Sequence, residues 1–359
     1  MKRVALVQIG YGTVGAAVIK QVVAQRSAWQ SMLGLDIRIA AVSGKNGVVL
    51  QEGESELTEE QLSALCNTRG ADATGTALTE IVPAIQNADV VILMDAAAGD
   101  ATADALVNAL NAGGGVVLSN KAPLALPHSD PRTNVLWDHA RQGGRLKYEA
   151  TCGAGLPVIS TLQSLLGTCD EVIEIVGALS GTFGAIFSSV AKGEAFSDAV
   201  AHAKANGYTE PDPRDDLSGL DVARKALILA RTMGREIDLD EIQVQSLVPE
   251  ALTDVSIDEF MAGLHISDHE IGPQAIRARL ENAALKYVAA VKPEGEIEVG
   301  LKGVAMSTVL GALQGPENVV SIRTKRYDEY PVVISGPGAG ADVTAAGMIA
   351  DALSLVATM

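Results

Sequence analysis

The sequence has few cysteines, few aromatic residues and no basic run. Its three cysteines, Cys66, Cys152 and Cys169, fall in no paired spacing, which fits neither a disulfide framework nor a zinc site. We therefore expect a reducing compartment and a cytoplasmic location. The formal net charge of -17 offers no basic surface for a phosphate backbone, so no nucleic-acid partner is expected.

Long hydrophobic runs are also missing. No uninterrupted apolar run approaches the ~20 residues that span a bilayer, so no membrane partner is expected. The first apolar run, Val4 to Val7, leads into a glycine turn without a cleavage site, so no signal peptide is expected. The 359 residues, of which 48% are hydrophobic, predict an α/β enzyme of two domains.

A glycine turn near the N-terminus follows an apolar strand, Val4 to Ile9, and precedes a helical stretch, Ala16 to Gln25. The G-x-G-x-x-G spacing permits a tight turn, a close backbone approach to a pyrophosphate and close packing of helix on strand. We predict a dinucleotide site here; the alternative is a glycine turn that binds no nucleotide. The predicted cofactor-binding residues are Gly10, Tyr11, Gly12, Thr13, Val14 and Gly15.

The second strand, Asp36 to Val42, ends without the acidic residue that NAD sites usually place near the ribose hydroxyls. Ser43 and Lys45 stand there instead and can meet a 2′-phosphate, which favours NADP over NAD. Alternatively, Lys45 is an ordinary loop lysine.

Further strands, Val90 to Met94 and Val116 to Leu118, enclose a helix, Ala101 to Ala112. The last of these strands delivers Ser119, Asn120 and Lys121 at its carboxyl end, where open α/β sheets bind their ligands.

The segment 206–225 combines carboxylates, two prolines and a lysine. Pro211 and Pro213 restrict the backbone and hold the neighbouring carboxylates, including Glu210, on an extended loop. Ser218 is predicted to cap the next helix. On that helix Asp221 and Lys225 are four residues apart and share a face, so the carboxylate can orient the amine. The alternative is a solvated surface ion pair.

After Tyr148 the alternation of apolar strands and helices gives way to a run of small residues, which precedes Pro157 and a predicted helix. Strands are predicted at Glu171 to Leu179, Ala284 to Val291 and Val319 to Thr324, mostly in one antiparallel-rich sheet. The last helix, Asp342 to Leu355, is expected to return to the nucleotide domain. The predicted fold is α/β, with a Rossmann-type dinucleotide-binding domain (1–148 plus 336–359) and an α+β catalytic and dimerisation domain (149–335).

Several motifs together resemble the homoserine dehydrogenase family over almost the whole chain. They are Glu149-Ala150-Thr151 to Leu156-Pro157, Ser180-Gly181-Thr182, the block from Gly207 to Lys225, and Gly336-Pro337-Gly338-Ala339-Gly340 with Thr344-Ala345-Ala346-Gly347. The resemblance implies reversible NAD(P)H-dependent reduction of L-aspartate 4-semialdehyde to L-homoserine, a step of threonine, methionine and isoleucine biosynthesis. It also implies a homodimer, and we expect a form without an aspartokinase or a regulatory extension.

The resemblance assigns roles to individual residues. Lys225 resembles the lysine that exchanges the hydroxyl proton, Asp221 its partner, and Lys121 a second lysine that shares proton transfer or binds substrate. Glu210 resembles the acid that holds the substrate ammonium, with Thr182 and Asp216 lining that pocket; the alternative is a capped turn and a solvated acid. Ala97, Ser119, Lys121 and Gly340 join the cofactor-binding set.

The resemblance further implies a monovalent cation, usually sodium. Its ligands are Glu149 and the main-chain oxygens of Cys152, Ala154 and Leu156, which suit a hard cation. The alternative is a buried Glu149 paired with an arginine.

Two positions depart from the family pattern. Ala96-Ala97-Ala98 stands where relatives often carry hydroxyl residues, and Gly184-Ala185 where they commonly carry bulkier ones. Two other functions remain open from the sequence. One is a related Rossmann dehydrogenase of another amino-acid semialdehyde, and the other is a catalytically silent nucleotide-binding sensor.

Overall fold

A computed structural model of the chain describes residues 1–44, 47–50, 79, 81–85, 87–141 and 144–359. Its strands are β1 (Lys2–Ile9), β2 (Leu35–Gly44), β3 (Gly47–Leu50), β4 (Val90–Asp95), β5 (Gly115–Leu118), β6 (Leu146–Lys147), β7 (Val172–Ala178), β8 (Gln243–Val244), β9 (Ala283–Val291), β10 (Glu298–Ala305), β11 (Glu317–Thr324) and β12 (Val332–Pro337). Its α-helices are α1 (Thr13–Leu33), α2 (Ile81–Ala84), α3 (Ala103–Asn111), α4 (Pro131–Ala140), α5 (Val158–Gly167), α6 (Gly181–Ala191), α7 (Phe196–Ala205), α8 (Pro213–Leu217), α9 (Leu220–Thr232), α10 (Ile257–Gly263), α11 (Asp268–Leu280), α12 (Val309–Ala312) and α13 (Ala341–Thr358).

The chain divides into two compact units. The first unit contains Met1–Gly155 and Gly340–Met359, and the second contains Leu156–Ala339. The boundaries predicted from the sequence lie after Tyr148 and before Gly336. The last helix, α13, belongs to the first unit, as expected from the sequence.

The first unit is built on a sheet of order β3-β2-β1-β4-β5-β6. All neighbouring strands in it are parallel except β2 and β3. The order reverses between β1 and β4, so a crevice for ligands is expected at the carboxyl ends of these two strands. This sheet confirms the Rossmann-type prediction.

Helices α1 and α13 pack on this sheet and form one apolar core with β1, β2 and β4. By length and composition α13 could cross a membrane, but Met348 and Leu355 are fully buried in that core. Helix α1 continues to Leu33, so its predicted end at Gln25 is wrong. The helix continues because Trp29 packs against the core, and it stops where Gly34 adopts a left-handed conformation.

The second unit contains a sheet of order β12-β11-β7-β9-β10-β8, antiparallel apart from the short β8 pairing. One face of β9 packs on α6, where the rings of Phe183 and Tyr287 stack. The opposite face carries a small core that includes Val288, Leu310 and Val319. This arrangement confirms the predicted α+β domain.

The start of α9 differs from the prediction. Gly219, in a left-handed conformation with φ of 73°, occupies the N-cap position that the sequence assigns to Ser218. Ser218 ends α8, and its hydroxyl accepts a hydrogen bond from Leu220 N and donates one to Asp215 O. The prediction was wrong because the left-handed Gly219 separates Ser218 from the first helical residue, and a neighbouring tyrosine hydroxyl leaves no room for a side chain at position 219.

Candidate active site

The glycine turn lies at the carboxyl end of β1. Gly10 has φ of +84°, and its amide donates to the carbonyl of Ser43 at 2.8 Å. A Cβ atom at Gly15 would lie 1.9 Å from the carbonyl oxygen of Gly10, so only glycine fits there. A Cβ at Gly12 would meet nothing within 4 Å, and no side chain caps α1. This open, uncapped helix N-terminus fits a pyrophosphate; Tyr11, Thr13 and Val14 complete the turn.

Asp95 connects the loops beside the glycine turn through hydrogen bonds. This role of Asp95 was not predicted from the sequence. It is fully buried at the end of β4, and its carboxylate accepts hydrogen bonds from Thr102 Oγ1 (2.6 Å), Ala97 N (2.9 Å) and Asn120 Nδ2 (3.1 Å). Burial raises the pKa of Asp95, and the three hydrogen bonds partly oppose this effect. The available signal was a carboxylate directly after an apolar strand.

Hydrogen bonds around Asp95 also position the backbone on both sides of Lys121. The amides of Ser119 and Asn120 donate to the carbonyl of Asp95, and the side chain of Asn120 accepts from Ala122 N. Ala97, Ser119 and Lys121 therefore follow neighbouring strand ends, as predicted.

The remaining predicted cofactor residues have different positions. Gly340 precedes α13, and its carbonyl accepts hydrogen bonds from Thr344. Ser43 is 8% exposed, and Lys45 lies outside the described residues.

Three of the predicted cation ligands belong to the first unit. Glu149 is 9% exposed, and its amide donates to Asp351 Oδ2 at 2.8 Å. Burial and the charge of Glu149 raise the pKa of Asp351 to about 7. Cys152 and Ala154 follow in a loop where Ala154 has φ of 55°. Leu156, the fourth predicted ligand, belongs to the second unit.

A buried carboxylate and main-chain oxygens fit a hard cation better than a transition metal. Within the described part of the chain, no group of three or more His, Cys, Asp or Glu side chains is arranged to hold a metal ion.

Asp216 joins the predicted substrate residues of the second unit. It is 2.8 Å from Thr182 Oγ1, and it accepts a hydrogen bond from Glu210 N at 2.7 Å. Thr182 Oγ1 also lies 2.6 Å from the carbonyl of Tyr208. Burial raises the pKa of Asp216, with smaller contributions from Asp221 and a further neighbouring aspartate, against the two hydrogen bonds. Glu210 itself is exposed.

Lys225 and Asp221 form the predicted pair. Lys225 is 8% exposed, and its Nζ lies 2.8 Å from Asp221 Oδ2 and donates to the carbonyl of Leu179 at 2.6 Å. The Asp221 side chain is 46% exposed. Because the amine is buried, the alternative of a fully solvated surface pair is wrong. Asp221 and the Leu179 carbonyl together orient the ammonium group.

The first turn of α6 carries Thr182 and packs against a loop. Ser180 Oγ caps the helix by accepting a hydrogen bond from Phe183 N. A Cβ at Gly184 would lie 2.5 Å from the carbonyl oxygen of Gly315. Gly184, which departs from the family pattern, therefore lies where the backbone of Gly315 closely approaches α6.

The largely parallel sheet, its glycine turn and the reversal of strand order between β1 and β4 define a Rossmann-type dinucleotide-binding unit, which is joined to a second, α+β unit. The model of the homoserine dehydrogenase NAD-binding domain matches residues 10–149, and the homoserine dehydrogenase model matches residues 157–353. The chain belongs to the homoserine dehydrogenase family, and its first unit is similar to the NAD-binding domain of that family.

Relatives agree with this assignment. The homoserine dehydrogenase of Saccharomyces cerevisiae is 36% identical over 363 residues, which covers 97% of this chain and 96% of that protein. The chloroplastic bifunctional aspartokinase/homoserine dehydrogenase 2 of Zea mays is 36% identical over 97% of this chain, which spans 38% of that protein's length. A crystal structure of a Candida auris protein of unknown function aligns with a TM-score of 0.86, 31% identity and 99% coverage of both chains.

Proposed function

We propose that the protein catalyses the reversible NAD(P)H-dependent reduction of L-aspartate 4-semialdehyde to L-homoserine, in the cytoplasm and in the biosynthesis of threonine, methionine and isoleucine. One observation carries this proposal. The amine of Lys225 is buried on α9 and is oriented by two partners, Asp221 and the carbonyl of Leu179. In the same unit, Thr182 and Asp216 are in contact. A family that acts on homoserine needs both a proton donor and a pocket for an amino acid.

The second unit supplies proton transfer and substrate binding. The bound nicotinamide supplies the hydride. Lys225 gives its Nζ proton to the aldehyde oxygen during reduction and takes it back during oxidation. Asp221 keeps the ammonium group oriented, because their 2.8 Å ion pair joins adjacent turns of one helix face. A positive charge beside the carbonyl also stabilises the developing alkoxide.

Carboxylates of the second unit recognise the amino acid. Glu210 pairs with the substrate ammonium group. Because its side chain is exposed, water solvates the carboxylate and no free energy is spent on burying an unpaired charge. Asp216 fixes the Glu210 backbone and the Thr182 hydroxyl at the same time. Lys121, at the carboxyl edge of the first unit's sheet, shares proton transfer or polarises the substrate.

The cofactor is held by the first unit, and we propose that NADP is preferred over NAD. The turn from Gly10 to Gly15 receives the pyrophosphate at the N-terminus of α1. The sequence offers Ser43, near the end of β2, and Lys45 in place of the acid that usually binds the ribose hydroxyls of NAD. Lys45→Ala is expected to lower kcat/KM for NADP+ while leaving that for NAD+ unchanged. An equal loss with both cofactors contradicts a role in reading the 2′-phosphate.

We also propose that Glu149 and the carbonyls of Cys152 and Ala154 bind a monovalent cation, most naturally sodium. The support is one buried carboxylate next to a loop in which Ala154 has a left-handed conformation.

A homodimer is proposed through the sheet of the second unit. Strand alternation places Val176, Ser321 and Val333 on the sheet face opposite α6, and Val333 is 40% exposed. Val333→Asp is expected to shift the mass in sedimentation analysis from dimer to monomer. A monomeric wild-type protein contradicts the proposal.

The proposed activity is tested with L-homoserine, following the reduction of NAD+ and NADP+ separately, with and without sodium or potassium. Turnover with homoserine supports the proposal. Turnover only with another amino-acid substrate favours the related dehydrogenase, and nucleotide binding without turnover favours the silent sensor. Lys192→Met, at an exposed lysine of the second unit, serves as a control for lysine replacement in general.

A further inference from the structure

Tyr287 is a buried tyrosine on β9 that contacts both elements of the proposed substrate pocket. It is 3% exposed, and its hydroxyl donates to the carbonyl of Gln245 at 2.7 Å. Burial raises the pKa of Tyr287, so the hydroxyl stays a donor at neutral pH. Its side chain lies on the sheet face that packs on α6.

The hydroxyl of Tyr287 fixes the beginning of α9. A Cβ atom at Gly219 would lie 2.0 Å from Tyr287 Oη and 3.0 Å from Cζ, so the phenol fills the space of a side chain at this position. Gly219 starts the helix, since its carbonyl accepts a hydrogen bond from Ala223 N at 2.9 Å. Asp221 and Lys225 follow on the first turns of this helix.

The ring of Tyr287 contacts the other element. It stacks on Phe183, with ring centroids 3.8 Å apart and an interplanar angle of 18°. Phe183 directly follows Thr182, whose hydroxyl lies 2.8 Å from Asp216. One side chain therefore lies against the start of the helix that carries the lysine and against the turn that carries the threonine.

We propose that Tyr287 is a positioning residue that sets the first turn of α9 relative to the first turn of α6, and with them the ammonium group of Lys225 relative to Thr182. This inference rests on the proposed function of these residues. It explains why one buried side chain touches both turns. A displacement of about 1 Å between reacting groups can cost on the order of 10²-fold in rate.

The test is a double-mutant cycle of Tyr287→Phe and Gly219→Ala. Tyr287→Phe removes the hydroxyl but keeps the stacked ring, and we expect kcat for homoserine to fall about tenfold with KM for the nicotinamide cofactor unchanged. Gly219→Ala forces a Cβ against the hydroxyl, and we expect a fall in kcat on the order of 10²-fold.

The combined variant separates positioning from general damage. Without the hydroxyl, the nearest atoms to the new Cβ lie at 3.0 Å, so the double variant should exceed the kcat of Gly219→Ala alone. If the fold-losses in kcat of the two single variants instead multiply in the double variant, the inference is wrong. Tyr330→Phe is the matched control, because Tyr330 is 78% exposed in the same unit, and it should keep the wild-type kcat.

Hydrogen exchange tests the inference without relying on turnover. Tyr287→Phe should increase amide exchange in residues 220–225 and 182–184, whereas Tyr330→Phe should not. Unchanged exchange in both segments overturns the inference even if the enzyme oxidises homoserine. If the wild-type protein does not oxidise homoserine, the proposed function fails, and the exchange result still decides whether Tyr287 holds the two turns.

Discussion

Replacing Lys225 by methionine removes the proposed proton donor while keeping most of the side-chain volume. In the wild-type protein its ammonium group is held 2.8 Å from Asp221 Oδ2 and 2.6 Å from the carbonyl of Leu179. A positioned general acid typically contributes about 10²- to 10⁴-fold in rate. We therefore expect Lys225→Met to lose roughly 3 to 5 kcal/mol of transition-state stabilisation, seen as a fall in kcat.

The same substitution also affects stability, by a smaller amount. The carbonyl of Leu179 loses its donor, and a buried group without a partner costs about 1–3 kcal/mol. Asp221 adds little to this cost because its side chain is 46% exposed and water can replace the ammonium group. Urea denaturation at the assay temperature should thus show a loss below about 3 kcal/mol, which leaves the protein folded during the assay if its total stability is ordinary.

Homoserine oxidation under saturating cofactor provides the measurement. Lys192→Met, at an exposed lysine, should retain wild-type kcat. Lys225→Ala opens space beside Leu179, so added ethylammonium should restore part of the rate if a missing amine is the defect. A kcat of Lys225→Met within about threefold of the wild-type value would refute the role of Lys225 as proton donor, since such a donor is worth at least about 10²-fold.

Three other changes test separate parts of the structure. Sodium should raise the melting temperature of the wild-type protein relative to tetramethylammonium at equal ionic strength, and Glu149→Gln should abolish this rise; an absent rise in the wild-type protein, or an unchanged rise in the variant, contradicts the cation site. The pKa of Asp216 is raised above 3.8 in the folded state, so wild-type stability in urea should fall relative to Asp216→Asn as pH rises from about 4. A pH-independent difference contradicts this, and Asp240→Asn, at an exposed carboxylate of the same unit, is the control. Gly184→Val should cost about 1–3 kcal/mol in urea denaturation because its Cβ overlaps Gly315, and an unchanged midpoint contradicts the close approach.

Much of the fold could be predicted because its signals are local. The apolar run Val4 to Ile9, the glycine turn and the following helix specify β1 and α1 from neighbouring residues alone. The end of α1 could not be predicted in this way. Trp29 extends the helix through its contact with residues of the sheet and α13, which a local pattern does not contain.

The candidate site shows the same division. The pairing of Asp221 with Lys225 follows from helix geometry, since residues four apart share a face. The contact between Thr182 and Asp216 joins residues 34 positions apart, and only the packing of α6 near α8 brings them together. Asp95 was not predicted for a similar reason, because its three hydrogen-bond donors come from two loops, after β4 and after β5, rather than from any motif.

Both departures from the family pattern lie where two backbones approach each other closely. A Cβ at Gly10 would lie 2.8 Å from Ala97 N and 2.9 Å from Ala96 O, so the alanine loop after β4 lies directly against the glycine turn. At Gly184 the neighbour is the backbone of Gly315, whose amide donates to Ser188 Oγ on the same helix. The small residues therefore allow the neighbouring backbones to approach closely at both positions. It follows that enlarging Gly184 should displace the Gly315 loop and the turn that carries Thr182, and should change homoserine binding without any new contact to the substrate.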